Sequence, residues 1–303
     1  MKTQSKNLFL LGLLALAAII VTGCPSHQSG MVDYNNEWVT IPAGKFSIND
    51  TTVTLTKAFV MCNHEVTQKE WTDIFSGKGE NPSTFSSIGE APKNCPVERV
   101  NYFHAIAYCN KRSIKEGLTP CYSVKDASNK EIDWAHLAFS DIPKMHTDST
   151  FSKWNAVTCN WEANGYRLPT EVEWEMAARG GLTGDVWAGT DDESKLELYA
   201  WYGVGSGNRT HEVRKKFANG YRIYDMSGNV WELCWDRKDT NSPYPSSLTD
   251  PTGVSDVNVT GICMRGGSWY ENFAKYCTVS YRSAISIVDG LMHVGFRLVR
   301  TAQ

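Results

Sequence analysis

The sequence predicts an α+β domain in which long, ordered loops form much of the structure. Three observations lead to this fold class. Short runs of β-branched and aromatic residues are typical of strands, and three segments carry the signals with which helices begin. The rest of the chain is rich in Gly, Asn, Asp and Trp, which favours turns and loops with aromatic side chains packed beneath them. We therefore expect few long elements.

Four short strands are predicted. Three of them, 38–41, 52–55 and 59–61, precede the first helix and are rich in Val, Thr and Phe. The fourth, 295–299, is predicted as the last strand of the chain. Its apolar side chains, which include Phe296 and Leu298, are expected on one face because side chains alternate along a strand.

Three helices are predicted, each behind a residue whose side chain can accept a hydrogen bond from the first turn. Gly117 ends the second helix, and Gly180 and Gly181 end the third, because glycine adopts the left-handed conformation that closes a helix. Arg167, just before the third helix, is expected to be a buried donor of paired hydrogen bonds. The predicted helices and their caps are 68–75 after Thr67, 102–116 after Asn101 and 171–179 after Thr170.

The first 24 residues have the features of a bacterial lipoprotein signal. Lys2 and Lys6 precede an apolar run at 8–21, and the small residues before Cys24 suit cleavage at that cysteine. The run is shorter than the roughly 20 residues that span a bilayer. Pro25 and a polar stretch follow at once, which disfavours the alternative of a spanning or buried helix.

We therefore predict a signal peptide at 1–23 and a flexible tether at 24–36 that carries lipidated Cys24. Acyl chains on this cysteine would anchor the exported protein to a bacterial membrane, and we expect it on the outer membrane, exposed at the surface. The lipid anchor is the only membrane contact predicted. No linker or repeat follows the tether, so 37–303 is predicted to be one domain.

Composition disfavours a nucleic-acid partner and several metal centres. The formal net charge is −3, and it becomes −5 when Lys2 and Lys6 leave with the signal; no cluster of Lys and Arg marks a polyanion site. Eight cysteines besides Cys24 permit disulfides in an oxidising compartment, although their wide spacing leaves the connectivity open. No C-x-x-C pair is present, which disfavours a zinc ribbon or a thioredoxin-type centre.

Seven separated segments together resemble the formylglycine-generating-enzyme (sulfatase-modifying factor) family. The resemblance extends over about 37–300 and implies the C-type-lectin-like fold of that family, with a small antiparallel sheet, two packed helices and long ordered loops. In chain order the segments are EVT (65–67), PVE (96–98), NGYRLPTEVEWE (164–175), AARGG (177–181), YDMSGNVWE (224–232), RGGSW (265–269) and GFR (295–297).

The sequence departs from the family's enzymes at the copper site. Those enzymes bind copper through two cysteines, the first just after the Gly-Gly-Ser-aromatic segment. Here Glu271 occupies the position of that first cysteine, and Cys277 is the only cysteine after Gly267. Cu(I) is held by paired thiolates. We therefore predict no copper, no catalytic residue and no enzymatic activity.

The resemblance also implies one structural Ca²⁺ site in the segment 225–232. Matched residue by residue, the ligands would be the carboxylates of Asp225 and Glu232 and the carbonyl oxygens of Gly228 and Val230. Hard oxygen donors of mixed type suit Ca²⁺. The alternative is a metal-free turn in which Asp225 caps local amides.

The segment from about 265 to 300 resembles the variable region of diversity-generating-retroelement proteins that have a C-type-lectin fold. Its candidate positions hold Asn or a residue that is reachable from an Asn codon by replacing adenines, whereas Glu271, Lys275 and Met292 are not reachable. The predicted ligand-binding residues are Tyr270, Asn272, Phe273, Tyr276, Tyr281, Ser283, Ile285, Ser286, Asp289, Leu291 and His293.

The composition of this segment independently favours binding. Tyr, Ser, Asn and Asp with a few apolar anchors are typical of antibody-like paratopes, where Tyr supplies contact area at a low entropic cost. An exposed apolar group around Ile285 and Leu291 would need a partner to cover it. The alternative is that 284–288 is a core strand, because Ile285 and Ile287 alternate with small residues.

These observations together predict a cell-surface lipoprotein that displays a diversified face for an unknown protein ligand. Two alternatives remain open: a copper oxidase of the formylglycine-generating type, and an adhesin or scaffold lipoprotein without diversification.

Overall fold

The computed structural model describes residues 37–302 apart from 49, 78, 88–91, 127, 182–185, 241, 243 and 246. The predicted signal peptide and tether, with Cys24, lie outside the described residues. Within the described part of the chain, no helix is both long enough and apolar enough to cross a membrane.

The described residues form short strands and helices joined by long loops, which confirms the α+β prediction. The strands are Trp38–Ile41 (β1), Gly44–Ile48 (β2), Thr51–Leu55 (β3), Phe59–Cys62 (β4), Tyr122–Ser123 (β5), Thr158–Cys159 (β6), Trp231–Arg237 (β7), Gly261–Arg265 (β8), Ser283–Ser286 (β9), Val294–Gly295 (β10) and Val299–Thr301 (β11). The α-helices are Gln68–Ile74 (α1), Tyr102–Lys115 (α2), Phe151–Asn155 (α3) and Glu171–Ala178 (α4).

The three predicted helices are present with the predicted caps. At α1, Thr67 Oγ1 accepts from the backbone N–H of Glu70, whose carboxylate accepts from the backbone N–H of Thr67. The same reciprocal pair opens α4, and Asn101 with His104 opens α2. The short helix α3 was not predicted, because its N-cap, Thr150, makes no side-chain capping bond and leaves no signal in the sequence.

The strands form two main sheets. One contains β1, β4 and β11, all antiparallel, and the other has the order β10-β7-β8-β9. The prediction of one strand at 295–299 is wrong, because β10 pairs with β7 in the second sheet and β11 pairs with β4 in the first. Phe296 and Leu298 lie between them, fully buried, and their carbonyls accept from backbone amides near β4.

Buried ion pairs join α4 to the second sheet and to the C-terminal segment. Both oxygens of Glu232 accept from Arg297, at 2.6 and 2.5 Å, and neither side chain is exposed to solvent. Arg265 forms an equally buried pair with Glu175. In a third pair, Arg282 donates to both oxygens of Glu171. We call the six residues of these three pairs the ion-pair frame: Arg265, Arg282, Arg297, Glu171, Glu175 and Glu232.

The backbone after β8 approaches its neighbours too closely for a side chain. Gly267 has a φ of 71°, and a Cβ at this position would lie 2.6 Å from the Sγ atom of Cys277. This agrees with the expectation that the RGGS segment needs glycine. Arg167 also behaves as predicted, since its guanidinium donates two hydrogen bonds to Glu173 in the interior.

Candidate functional site

The candidate site is the part of the C-terminal segment that the structure exposes. Tyr270 is 56% exposed, Phe273 62% and Leu291 42%, and all three lie in the two loops that flank β9, where a group of exposed apolar side chains indicates a binding surface. Asn272 and Asp289 are exposed as well. We define the aromatic face as the exposed and half-buried candidate residues of the two loops: Tyr270, Asn272, Phe273, Tyr276, Tyr281, Asp289, Leu291 and His293.

Ring contacts connect the two loops of the aromatic face. Tyr270 stacks on His293 with ring centroids 5.2 Å apart and planes 8° from parallel. Trp269 packs edge-on against Tyr270 at 5.4 Å, and its indole N–H donates to the carbonyl of Met292. The loop after β8 and the loop before β10 therefore support each other, although about 20 residues of chain separate them.

A second group of rings continues from the first loop towards β9. Tyr276 and Tyr281 meet edge-to-face at 5.0 Å, and Phe273 lies 6.1 Å from Tyr276. Tyr281 also contacts the buried Trp231 of β7 at 6.0 Å. Rigid aromatic rings that rest on a packed interior supply contact area with little entropy to lose on binding.

The exposure predicted for Ile285 is wrong. This side chain is only 7% exposed, because β9 pairs with β8 and places Ile285 opposite Ile262 in the core. Ile287 and Val288 are buried as well, so the alternative of a core strand holds for this stretch. Ser286, on the other side of the strand, is half-buried, and so is Ser283, which lies on the same side as Ile285 at the start of the strand.

Two residues at the site escaped the sequence prediction. Lys275 Nζ lies 5.5 Å from the ring of Phe273 and 4.9 Å from that of Tyr276, which allows cation–π contacts. Met292 is 40% exposed next to Leu291. Neither residue was predicted as a ligand-binding residue, because neither is reachable from an Asn codon. Their location between candidate residues is the signal in the sequence that could have indicated them.

Glu271 stands in place of the first copper-binding cysteine of the resembling enzymes, and its side chain makes a hydrogen bond to a buried tryptophan. Glu271 Oε1 accepts from the indole N–H of Trp231 at 2.9 Å. Cys277 is fully buried, and burial raises the pKa of its thiol to about 12. A protonated thiol is a poor metal ligand and a poor nucleophile.

The calcium ligand set fits this arrangement poorly. Both oxygens of Glu232 are engaged by Arg297, and one also accepts from the indole N–H of Trp174 at 2.7 Å. The guanidinium therefore already occupies the place of a cation. Asp225 Oδ2 accepts from the backbone N–H of Arg214, as in the metal-free alternative, while its buried Oδ1 has no partner. Burial raises the pKa of Asp225 to about 6.

Comparison with known proteins gives a consistent result. The profile of the sulfatase-modifying factor enzyme 1-like domain matches residues 27–302. The solved structure of Treponema denticola variable protein 1 has 39% identity and a TM-score of 0.78, and the match covers 88% of this chain and 95% of that chain. This likeness confirms the C-type-lectin-like fold of the formylglycine-generating-enzyme type.

Two curated relatives carry different names. The chaperone protein LppX of Paenibacillus barcinonensis is 36% identical over 250 residues, which are 75% of this chain and 80% of that protein. The formylglycine-generating enzyme of Streptomyces coelicolor is 32% identical over 164 residues. This match covers 49% of the chain and 51% of the enzyme, so it spans about half the length of each.

Proposed function

Because this chain belongs to the family of sulfatase-modifying factor enzyme 1-like domains, we propose that it uses the family's fold for binding, as a variable protein whose aromatic face contacts a protein ligand. The observation that carries the proposal is the exposure of Tyr270, Phe273 and Leu291 in two mutually supporting loops. The likeness to the Treponema variable protein over most of both chains supports the same function.

The ion-pair frame explains how such a face could vary without loss of the fold. Arg265 donates to the carbonyl of Tyr281 at 2.6 Å, and Arg282 donates twice to Glu171 at 2.6 and 2.7 Å. These bonds hold the loop ends through buried charged groups and backbone atoms. The side chains of the aromatic face are therefore free to change on a rigid base.

Exposed aromatic side chains are also suited to supply the binding free energy of a protein interface. A few aromatic or aliphatic anchors usually dominate a protein interface, and each costs about 2 kcal/mol or more when truncated. Within the aromatic face, Tyr270, Phe273 and Leu291 are the most exposed of the large side chains that have apolar area to bury against a partner. We infer that they are the anchors of this face.

Under the proposed function the protein is not a copper oxidase. Glu271 is committed to Trp231, and the thiol of Cys277 is buried and protonated, so a copper site with two thiolates cannot form from these residues. The purified protein is expected to leave the cysteine of a sulfatase peptide unconverted. Conversion to formylglycine would contradict the proposal.

We further propose that the protein is an exported lipoprotein, anchored through Cys24 and exposed at the cell surface. The support is the cationic, apolar and small-residue pattern of 1–24. Labelling with a fatty acid should modify the wild-type protein and should fail for Cys24→Ala. If the wild-type protein is not labelled, the lipid anchor is contradicted, whereas the proposal that the aromatic face binds a ligand still stands.

Diversification is tested by sequencing the coding end of this gene in independent isolates. Substitutions should concentrate at the positions of the aromatic face and should replace adenines. Substitutions spread evenly over the segment would contradict diversification and would favour an invariant adhesin or scaffold.

A further inference from the structure

A pocket of about 350 Å³ lies beside the aromatic face, at the N-terminal end of α2. Its lining includes Arg99, Asn101, His104, Phe139, Lys144 and the backbone around Gly290. The volume is within the range of sites that hold small ligands or a partner's side chain. Residues from three distant parts of the chain meet here, and hydrogen bonds fix their positions.

Asn101 joins two walls of the pocket. Its side-chain NH₂ group donates to the carbonyl of Pro143 at 2.8 Å and to that of Val288 at 3.3 Å. On the other side, the backbone N–H of Arg99 donates to the carbonyl of Leu291 at 3.0 Å. A Cβ at Gly290 would lie 2.5 Å from the carbonyl oxygen of Arg99. The second loop of the aromatic face is thus packed directly against the pocket.

Two exposed cations, Arg99 and Lys144, line the pocket. Among the described residues, neither has a carboxylate within salt-bridge distance. Lys144 Nζ lies over the ring of Phe139, 4.8 Å from its centroid. The nearby Asp148 accepts from the backbone amides of Lys144 and Met145 and is thereby engaged. The positive end of α2 adds to the attraction for an anion.

His104 lines the same pocket and carries an unsatisfied donor. Its Nδ1 accepts from the backbone N–H of Asn101 at 3.2 Å, so the proton of the neutral ring is on Nε2. That Nε2 is buried and has no partner. Burial and the charge of Lys144 lower the pKa of His104 to about 3, so the ring is neutral at physiological pH. A buried donor without an acceptor is costly, and an incoming oxygen would satisfy it.

We propose that this pocket receives the carboxylate of an Asp or Glu side chain from the protein that covers the aromatic face. Arg99 and Lys144 would neutralise the charge, and the Nε2–H of His104 would donate to a carboxylate oxygen. The inference rests on the proposed function and narrows it, because it assigns an acidic residue to the partner's surface beside the residues that contact Tyr270 and Leu291.

The direct test uses short acetylated and amidated peptides that contain one Glu between Gly and Tyr residues. The purified full-length protein should bind the Glu peptide, and the side-chain NMR signal of His104 should shift. A matched Gln peptide should bind at least about tenfold more weakly. A third peptide, without an internal acid but with a free C-terminal carboxylate, distinguishes a chain end from an acidic side chain.

Charge variants supply the second arm. Arg99→Gln with Lys144→Gln should weaken the Glu peptide by at least about tenfold, because two charge-assisted contacts are lost. The matched control, Lys45→Gln with Lys130→Gln, removes the same charge from exposed sites elsewhere and should leave binding unchanged. The proposal is overturned if the Glu and Gln peptides bind equally, or if the His104 signal does not shift at millimolar peptide. It is also overturned if the protein prefers the C-terminal carboxylate, or if the control variant weakens binding as much as the Arg99 and Lys144 variant does.

Failure of the pocket is distinguishable from failure of the proposed function. Suppose that a protein partner no longer binds the variant with Tyr270→Ser, Phe273→Ser and Leu291→Ser but binds the Arg99 and Lys144 variant normally. This result would overturn the proposed carboxylate site and would leave the proposed function standing. A Glu peptide that binds the pocket, combined with a coding end that does not vary among isolates, would overturn diversification alone.

Discussion

The aromatic face and the ion-pair frame beneath it reverse the usual distribution of residue types. The frame buries charged side chains, with Arg265, Arg297 and Glu232 fully shielded from water. The face exposes aromatic and aliphatic side chains such as Tyr270 and Phe273. Charges inside are tolerated because each has a partner, and apolar groups outside are expected where a ligand covers them. The comparison indicates that stability depends on the frame and that binding depends on the face.

The largest effect is expected from breaking the frame. Arg297→Met should lower the free energy of unfolding by about 3–5 kcal/mol, because it leaves Glu232 buried without its cation. Denaturant melts measure this loss. The exposed control Lys45→Met should stay within about 0.5 kcal/mol of the wild type. A loss below about 1 kcal/mol in Arg297→Met would show that the pair does not hold the fold.

The next effect separates the buried and exposed parts of the C-terminal segment. Ile285→Ala should cost about 2–5 kcal/mol, because it leaves a cavity between β8 and β9. Leu291→Ala, at a side chain that is 42% exposed, should cost less than about 1 kcal/mol. Circular-dichroism melts of both variants decide the point. Equal destabilisation would place the aromatic face inside the core.

A smaller, pH-dependent effect is expected from Asp236 in the frame's neighbourhood. Burial and the nearby Glu171 raise the pKa of Asp236 to about 8 in the folded protein. The folded state therefore holds the Asp236 proton more tightly than the unfolded state. The stability that this protonated carboxyl contributes is fully present below about pH 4 and is lost as the pH rises to about 8.

Asp236→Asn removes this dependence and keeps an oxygen that can accept from the backbone N–H of Glu171. Relative to the wild type, the variant should gain about 1 kcal/mol or more between pH 5 and pH 8. Urea melts at the two pH values measure the difference. The raised pKa of Asp236 would be contradicted if the free energy of unfolding changed between pH 5 and pH 8 by the same amount in the wild type and in the variant.

The smallest effect is expected from calcium. Since Arg297 already satisfies Glu232, addition of EDTA should leave the melting temperature unchanged, and added Ca²⁺ should not raise it. Differential scanning calorimetry with and without each reagent measures this. A stabilisation that Asp225→Asn abolishes would restore the calcium site that the family resemblance implies.

The sequence predicted local structure better than the assignment of residues to sheets. Capping boxes at Thr67 and Thr170 are local signals, and the structure confirms both helices. The division of 295–299 between two sheets depends on which strand lies next to each residue, and that information is spread over the whole chain. Burial of Ile285 was indicated by its alternation with small residues, whereas the codon argument that favoured its exposure carries no information about packing.

The pocket could not have been predicted. Arg99, His104, Lys144 and Gly290 come from three separated segments, and none of these segments contains a ligand-binding motif. Their convergence depends on hydrogen bonds from one asparagine cap to two carbonyls that are distant in sequence. Only the fold brings these groups together.

The most direct test of the central claim is a pair of displayed libraries. In the first, all positions of the aromatic face are recoded to the residues reachable from an Asn codon. In the second, the same recoding is applied to exposed positions of the β2–β3 hairpin, such as Lys45, Ser47 and Thr52. The proposed function predicts that most members of the first library fold and that it alone yields specific binders to folded protein targets. Widespread unfolding in the first library, or binders arising equally from both, would contradict it.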